Sequence, residues 1–199
     1  MRFDLQVIAS WIEEGAKVLD LGCGEGDLMA HLRDERGAAC VGIEQGEAKV
    51  ARCIERGLSV LQGDLNQEVL DYPDQAFDYA ILSQTLQQVY EPDWLIKQML
   101  RIGRRGIVSF PNFGHLPIRR QLLFKGHAPV SSALPFQWYD TPNIRVLTLR
   151  DFRRFGREAG FKVLKEVAIN TDHHQNTGNI IRLWPNLRAS YGIFMIGEF

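Results

Sequence analysis

The sequence has few cysteines and no long apolar run. Its three cysteines, Cys23, Cys40 and Cys53, show no Cys-x-x-Cys spacing. This odd, scattered set argues against a disulfide framework or a zinc ribbon and is typical of a reducing compartment. No stretch reaches the roughly 18 to 20 apolar residues of a membrane-spanning helix. The first residues show no secretory signal. We therefore expect a cytoplasmic protein without membrane partners.

Acidic residues are missing between Trp94 and Tyr139, although the chain as a whole has a net charge of −1. Residues 1–93 carry 7 basic against 18 acidic side chains, and residues 94–199 carry 16 against 6. Either the two halves neutralise each other, or the second half presents a basic surface to an anionic substrate or an acidic partner. The candidates for such a surface are Arg101, Arg104, Arg105, Arg119, Arg120 and Lys125. Because the chain is not basic overall, we do not expect a nucleic-acid partner.

Short apolar runs alternate with helical patterns through the first 110 of the 199 residues. This alternation predicts one domain built on a parallel sheet with helices on both faces. Five prolines interrupt the pattern between Pro111 and Val146, and we expect residues 112–147 to form a lid or docking surface. A capping box at Thr148 then starts a helix that ends at Gly160, followed by a strand at 162–169. The closing residues 192–199 are expected to pair with that strand as an antiparallel edge.

The segment VLDLGCGEG, from Val18 to Gly26, is a strand that enters a glycine-rich turn. Such a turn lets a ligand approach the backbone at the carboxyl edge of a sheet. A dinucleotide fingerprint would place glycine at position 27, where this chain has Asp27. Asp20 would repel a pyrophosphate but attract an ammonium or sulfonium group. Glu44, at the end of the next strand, is suited to accept hydrogen bonds from two ribose hydroxyls.

These motifs resemble the class I S-adenosylmethionine-dependent methyltransferases. Residues 20–26 match their first motif, Glu44 matches their ribose-binding acid, and Gly63-Asp64-Leu65 resembles their adenine-contacting segment. The resemblance implies a Rossmann-like class I methyltransferase fold that binds S-adenosylmethionine or S-adenosylhomocysteine. The cofactor contacts expected on this basis are Asp20, Gly22, Cys23, Gly24, Gly26, Glu44, Gln45, Asp64, Leu65 and Ser83.

Three further segments resemble the MetW proteins of bacterial methionine biosynthesis. They are SQTLQ at 83–87, SFPNFGH at 109–115 and LPFQWYDTPN at 134–143. The resemblance implies a role in the pathway from homoserine to methionine, beside homoserine O-acyltransferase. It does not imply a methyl acceptor.

Catalytic residues are less clearly marked than cofactor residues. The familiar acceptor signatures, Asn-Pro-Pro-Tyr and Pro-Cys, are missing from the sequence. His115, at the carboxyl end of a strand, is the best candidate for a general base, and Tyr139 with Asp140 comes second. The pattern Asp172-His173-His174 lacks a third well-spaced ligand, so we expect no metal site.

Two hypotheses for the function therefore remain open. The chain is either an S-adenosylmethionine-binding accessory subunit that acts with or regulates homoserine O-acyltransferase, or a methyltransferase of a small anionic metabolite. The missing acceptor signature and the resemblance favour the accessory subunit.

Overall fold

Eight strands form one sheet in the computed structural model, which describes residues 1–172 and 175–198. In chain order they are β1 (Lys17–Leu21), β2 (Ala39–Glu44), β3 (Ser59–Gln62), β4 (Phe77–Ser83), β5 (Gly103–Pro111), β6 (Phe161–Asn170), β7 (Asn179–Ile180) and β8 (Tyr191–Glu198). Their order across the sheet is β3-β2-β1-β4-β5-β8-β6-β7. The first five are parallel, and β8, β6 and β7 are antiparallel to their neighbours. The predicted α/β class, with a mostly parallel sheet and an antiparallel edge, is confirmed.

The C-terminal strand differs from the prediction in its position. β8 pairs with β6 as expected, but it also pairs with β5 along Gly106–Pro111. It therefore lies inside the sheet, and β6 with the short β7 forms the antiparallel edge. Seven of its eight residues are buried, as an interior strand requires.

Helices cover both faces of the sheet. They are α1 (Phe3–Ala9), α2 (Asp27–Arg36), α3 (Glu47–Glu55), α4 (Leu65–Glu68), α5 (Pro92–Ile102), α6 (Leu116–Lys125), α7 (Leu149–Ala159) and α8 (Pro185–Arg188). The predicted capping box of α7 is present, because Thr148 and Asp151 each accept a hydrogen bond from the other's backbone N–H. Within the described ranges, no helix combines the length and the apolarity that crossing a bilayer requires.

The core has two layers because successive side chains of a strand point to opposite faces. Val18 of β1 packs in one layer with Leu5 and Ile8 of α1. Its neighbour Leu19 belongs to the opposite layer, which contains the buried residues of α5 and α7. The helix-bearing strands are thereby fixed with their carboxyl ends together, at the edge where β1, β2, β4 and β5 enter their loops.

Residues 112–147 are the least regular part of the chain. Their longest helix is α6, and Pro117 occupies its first turn, where the missing N–H of proline costs nothing. The far end of the segment is held by two hydrogen bonds, because the Gln87 carbonyl accepts from the N–H groups of Ile144 and Arg145, both at 3.0 Å. Leu122, Leu123 and Phe124 of α6 remain exposed.

Candidate functional site

A cavity of about 1430 Å³ opens at the carboxyl edge of β1, β2 and β4. Nine of the ten residues expected to contact the cofactor line it. They are Asp20, Gly22, Cys23, Gly24, Glu44, Gln45, Asp64, Leu65 and Ser83. The fold therefore brings predicted residues from β1, β2 and β4, and from the segment after β3, to one place.

The turn after β1 depends on glycine for two different reasons. Gly22 has φ +77, and a Cβ there would lie 2.8 Å from the Thr85 hydroxyl oxygen, so only glycine fits beside the loop after β4. Gly26 has φ +76 and does not line the cavity. A Cβ on Gly26 would collide with Leu58 and lie 3.0 Å from Cys53 Sγ. Gly26 therefore lets the start of α2 pack against Leu58 and Cys53, and its expected contact with the cofactor stays a prediction that the cavity lining does not support.

Cys23 is a small packing residue at the cavity wall. A Cβ on Gly42 of β2 would lie only 2.6 Å from its Sγ, so the thiol rests directly on that strand. Burial raises the pKa of the Cys23 thiol well above its usual value, with smaller contributions from the nearby Asp20 and Cys53. The residue therefore stays protonated, which disfavours nucleophilic chemistry.

Asp20 is a buried carboxylate at the cavity, with 3% of its surface exposed. Its Oδ1 has no hydrogen-bond partner within the described ranges. Burial raises the pKa of Asp20 to about 7, Arg2 lowers it, and Glu44 raises it further. An unpartnered buried carboxylate oxygen costs on the order of 1–3 kcal/mol or more. A cationic donor beside Asp20 would remove that cost.

Glu44 is held rigidly by the two loops that flank it. Its Oε2 accepts from the N–H of Gly24, and its Oε1 accepts from the N–H of Gly46, both at 2.9 Å. Lys49 Nζ lies 3.6 Å from Oε1. Each carboxylate oxygen has a second lone pair, so Glu44 keeps acceptor capacity for a hydroxyl pair of a ligand.

Asp64 lies across the cavity, at the start of α4. Its Oδ1 caps that helix by accepting from the backbone and side-chain N–H groups of Asn66, at 2.9 and 2.8 Å. Its neighbour Leu65 adds an apolar surface to the cavity wall. A carboxylate next to an apolar side chain suits a flat ring that carries an amino group.

The structure also places residues at the cavity that the sequence analysis missed. Arg2 lines the cavity and forms a two-bond ion pair with Asp4, which is 2% exposed. Gln84 Nε2 donates to the same carboxylate at 2.6 Å. A signal was present in the sequence only for Asp4, which stands four residues before Ile8 and shares the buried face of α1 with it.

Neither predicted catalytic residue reaches the cavity. His115 is the residue before α6, outside the cavity lining, and burial lowers its pKa. Tyr139 is 71% exposed and stacks edge-on against Trp138. Asp140 is also exposed and outside the lining. A catalytic role for His115 or Tyr139 stays a prediction that this cavity does not support, since a strand's carboxyl end fixes the edge but not where a loop side chain points.

The segment 112–147 supplies one wall of the cavity. Ala133, Pro135, Phe136, Pro142 and Asn143 line it opposite the glycine turn. The segment therefore emerges at the same edge as the predicted cofactor residues, and its role as a lid stays a prediction. Of the pattern Asp172-His173-His174, the two histidines lie outside the described residues, and the rest of the chain shows no cluster of three metal ligands.

Charges at the cavity are mainly acidic. The carboxylates that line it are Asp20, Glu25, Asp27, Glu44 and Asp64, whereas the cations within the described part are Arg2 and Lys49. Arg2 pairs with Asp4, and Lys49 approaches Glu44. Glu25 and Asp27 pair with Arg52 and Arg56, so Asp20, Glu44 and Asp64 are the carboxylates without an arginine partner. The cavity is therefore suited to a ligand with positive charge.

Comparison with known proteins decides the family. The model of the family described as "Methionine biosynthesis protein MetW" matches residues 2–196, nearly the whole chain. The chain belongs to the MetW family. A relative from Rhodopirellula baltica named "Bifunctional methionine biosynthesis protein MetXA/MetW" is 34% identical over 184 residues, which cover 88% of this chain and 30% of that relative. The MetW-family chain thus spans less than a third of the bifunctional relative.

Methyltransferases are also similar to this MetW-family chain. A "Ubiquinone biosynthesis O-methyltransferase" from Pseudomonas fluorescens is 33% identical over 205 residues, covering 95% of the chain and 84% of the relative. The crystal structure of an S-adenosylmethionine-dependent methyltransferase from Thermotoga maritima matches with a TM-score of 0.73 at 19% identity, covering 99% of this chain and 88% of that one. The chain therefore has the fold of these methyltransferases and belongs to a family associated with methionine biosynthesis.

Proposed function

We propose that the cavity binds S-adenosylmethionine, or its product S-adenosylhomocysteine, and that the chain acts with or regulates homoserine O-acyltransferase in methionine biosynthesis. The observation that carries the proposal is the buried, unpartnered Oδ1 of Asp20 at the wall of an acidic cavity. Both ligands carry an ammonium group that satisfies such a carboxylate. The three cysteines form no disulfide in the described residues, which suits the cytoplasmic location that we propose.

In this proposal, three carboxylates each bind a different part of the ligand. Asp20 binds the ammonium group, Glu44 accepts from the ribose hydroxyls, and Asp64 accepts from the exocyclic amine of adenine while Leu65 packs against the ring. S-adenosylmethionine supplies an electrophilic methyl group. The chain's own residues orient the ligand, because the amides of Gly24 and Gly46 fix Glu44 before it binds.

The bifunctional relative supports the acyltransferase as partner. The name of this relative joins MetXA to MetW in one chain. Such a fusion keeps two activities at high local concentration, which is useful when the two parts act together. In this proposal the MetW-family chain is an accessory subunit whose cavity senses the methionine-derived cofactor.

An active methyltransferase is the second candidate, and the similarity to an O-methyltransferase over most of both chains favours it. The cavity charges do not favour the anionic acceptor expected from the sequence, because three lining carboxylates, Asp20, Glu44 and Asp64, have no arginine ion-pair partner in the described part. An uncharged or cationic acceptor fits better.

Calorimetry tests the shared part of both candidates. We expect S-adenosylhomocysteine to bind the parent protein with micromolar affinity, as suits a ligand held by several charge-assisted hydrogen bonds. No binding at millimolar ligand would contradict the proposal. Co-purification with the acyltransferase, with and without the ligand, then separates the candidates. A ligand-dependent complex without formation of S-adenosylhomocysteine from S-adenosylmethionine supports the accessory subunit.

The six basic residues considered as a docking surface differ in their partners. Arg101, Arg104 and Arg105 pair with Asp74, Asp78 and Glu13 of the acidic half, which supports the neutralising interpretation for these three. Arg119 donates to the Gly114 carbonyl at 2.7 Å. Arg120 and Lys125 have no ion-pair partner in the described residues, and Leu123 and Phe124 beside them are exposed. We call these four residues the α6 surface.

Reversing both charges of the α6 surface, in Arg120→Glu/Lys125→Glu, is expected to slow association with the acyltransferase severalfold at low salt. The difference should shrink near physiological salt, because exposed charges act mainly on association rate and are screened over about 8–10 Å. Surface plasmon resonance at two ionic strengths measures the rates. Arg157→Glu, an exposed cation of α7, is the matched control. If both variants associate at the parental rate in low salt, the α6 surface does not dock the partner.

A further inference from the structure

The charged side chains of the cavity come from one part of the chain. Within the described residues, no acidic or basic lining residue follows Asp64. Apart from Arg2, which pairs with Asp4, these charged residues lie in or after β1, β2 and β3. The lining residues from Gln84 onward carry no charge and belong to the loops after β4, β5 and β6 and to the end of β5. We call them the uncharged half of the cavity.

The cavity is larger than one nucleoside ligand requires. Its volume of about 1430 Å³ exceeds the roughly 300–1000 Å³ of pockets that hold one drug-sized molecule. The three carboxylates that bind S-adenosylmethionine in our proposal, Asp20, Glu44 and Asp64, all lie in or after β1, β2 and β3. The uncharged half therefore has room for a second ligand.

Gln87 is a buried amide in the uncharged half. It is 3% exposed, and its Oε1 has no hydrogen-bond partner within the described residues. Its Nε2 donates to the Gln84 carbonyl at 2.6 Å. This bond fixes the orientation of the amide, because a carbonyl can only accept and therefore requires the NH₂ group. Since a buried acceptor without a donor is unfavourable, a ligand that donates to Gln87 Oε1 would gain from it.

The loop that carries Gln87 is anchored on two sides. Gln84 has φ +53, a left-handed conformation that costs energy in a residue other than glycine. Its N–H donates to the Ser109 carbonyl of β5 at 2.8 Å. The Gln87 carbonyl accepts from the N–H groups of Ile144 and Arg145. The loop therefore holds the Gln87 amide in place before a ligand binds, which lowers the entropy that binding costs.

The segment 112–147 adds a mostly apolar wall to the uncharged half. Ala133, Pro135, Phe136 and Pro142 contribute this wall, and Val89 adds a further apolar side chain from the loop after β4. A charged group placed against such a wall would lose its hydration without gaining a partner of opposite charge. The uncharged half is therefore suited to a neutral molecule with an apolar body.

We propose that the uncharged half is a second ligand site, which binds a neutral molecule with an apolar body and one N–H or O–H group that donates to Gln87 Oε1. Neutral alcohols and amides have this chemistry. The inference deepens the proposed function and rests on it for the occupant of the remainder of the cavity, S-adenosylmethionine or S-adenosylhomocysteine. It names a neutral class of second ligand in place of the anionic metabolite expected from the sequence.

The first test varies the second ligand. Three probes are titrated into the protein saturated with S-adenosylhomocysteine, and binding is followed by ligand-observed NMR. They are benzyl alcohol, benzyl methyl ether, which lacks the O–H donor, and benzoate, which is charged. We expect benzyl alcohol to bind in the millimolar range, as suits so small a molecule. The ether should bind about 5- to 10-fold more weakly, and benzoate at least about tenfold more weakly.

The second test removes the acceptor. Gln87→Leu keeps a side chain of similar size without the amide, so it should bind the alcohol and the ether equally well. Gln88→Leu is the matched control, because Gln88 also donates to the Gln84 carbonyl, at 3.3 Å, and its oxygen is not among the buried unpartnered atoms. This control should keep the preference for the alcohol.

The third test shortens the wall and does not depend on the folding of a buried variant. Phe136 is 45% exposed, so Phe136→Ala leaves the core intact. It should weaken binding of the alcohol and the ether severalfold, through lost apolar contact, without lowering the affinity for S-adenosylhomocysteine. Trp138→Ala, at an exposed position outside the cavity lining, is the matched control and should change neither affinity.

The outcomes separate this inference from the proposed function. If S-adenosylhomocysteine binds and no probe binds at about 10 mM, or all three bind equally, the proposed function stands and the neutral site is wrong. Displacement of S-adenosylhomocysteine by benzyl alcohol would also overturn it, because the two would then share one site. If S-adenosylhomocysteine does not bind but the free protein prefers the alcohol through Gln87, the neutral site stands and the proposed function is wrong.

Discussion

Asp20→Asn is expected to stabilise the ligand-free protein at pH 8 and to remove most of its affinity for S-adenosylhomocysteine. Burial raises the pKa of Asp20 from 3.8 to about 7, so the folded state holds a proton that the unfolded state releases near pH 4. Protonated Asp20 contributes to the free energy of unfolding at low pH. This contribution, up to about 4 kcal/mol, is lost as the pH rises from about 4 to 7. Asparagine does not ionise, so the variant avoids this loss.

Melting temperatures at two pH values measure the stability effect. A gain of about 2 kcal/mol at pH 8 corresponds to roughly 4–8 °C for a chain of this size, and little gain is expected at pH 5. Asp71→Asn, at an exposed position, is the matched control and should change neither value. A variant that melts below the parent at pH 8 would show that the ionised carboxylate is already stabilised without a ligand.

Ligand affinity should show the opposite dependence. An ammonium group binds the ionised form of Asp20, so affinity in the parent should rise between pH 6 and pH 7.5, and binding at pH 6 should release a proton. Above about pH 8 the ammonium group of the ligand begins to lose its proton and its charge, so affinities are compared only below that pH. Asp20→Asn should bind about 10- to 100-fold more weakly at pH 7.5 and lose this pH dependence. Calorimetry in two buffers of different ionisation enthalpy measures the proton.

Glu44→Gln is expected to be at least as harmful as Glu44→Ala, although glutamine is usually considered the conservative replacement. Both oxygens of Glu44 accept from backbone N–H groups, those of Gly24 and Gly46, at 2.9 Å. Glutamine has one acceptor oxygen, and its NH₂ group would face a second N–H donor. We expect the free energy of unfolding to fall by about 1–3 kcal/mol and the affinity for S-adenosylhomocysteine to fall at least about tenfold.

Urea denaturation and calorimetry measure the two effects of Glu44→Gln. Glu47→Gln, in the exposed first turn of α3, removes the same charge nearby without touching the two amides, and it should bind like the parent. A Glu44→Gln protein with parental stability would mean that the amides find other acceptors. A stable protein that has lost only ligand affinity would restrict Glu44 to the ribose contact.

The strands that surround the site could be predicted closely from the sequence. The strand Lys17–Leu21 has three aliphatic residues out of five and is followed by glycine, so local pattern alone marks it. The place of β8 could not be predicted, because strand order depends on pairing between distant segments and not on local pattern. Prolines gave no warning of α6, since Pro117 falls in a first turn, where proline is tolerated.

The cofactor side of the site was more predictable than the rest for a physical reason. Asp20 and Glu44 lie at the carboxyl ends of β1 and β2, where backbone topology alone determines the location of a residue in the sheet. His115 depends on the path of a loop, and Arg2, the residue before α1, reaches the cavity only through the way in which α1 packs on the sheet. Long-range packing decides such positions, and a single sequence gives no information on it.

The interior position of β8 has a consequence for how the chain reaches its native state. Until β8 arrives, β5 is the last strand of the parallel sheet, and the backbone N–H and C=O groups on one edge of Gly106–Pro111 are unpaired beside the apolar side chains Ile107, Val108 and Phe110. All three are fully buried once β8 is in place. Pairing across a sequence separation of about 80 residues is slow, and an open apolar edge invites other chains to add to it. During synthesis, the edge of β5 therefore stays unpaired and open to association with other chains until β8 has been made. We expect a chain truncated before Tyr191 to aggregate instead of forming a smaller folded domain.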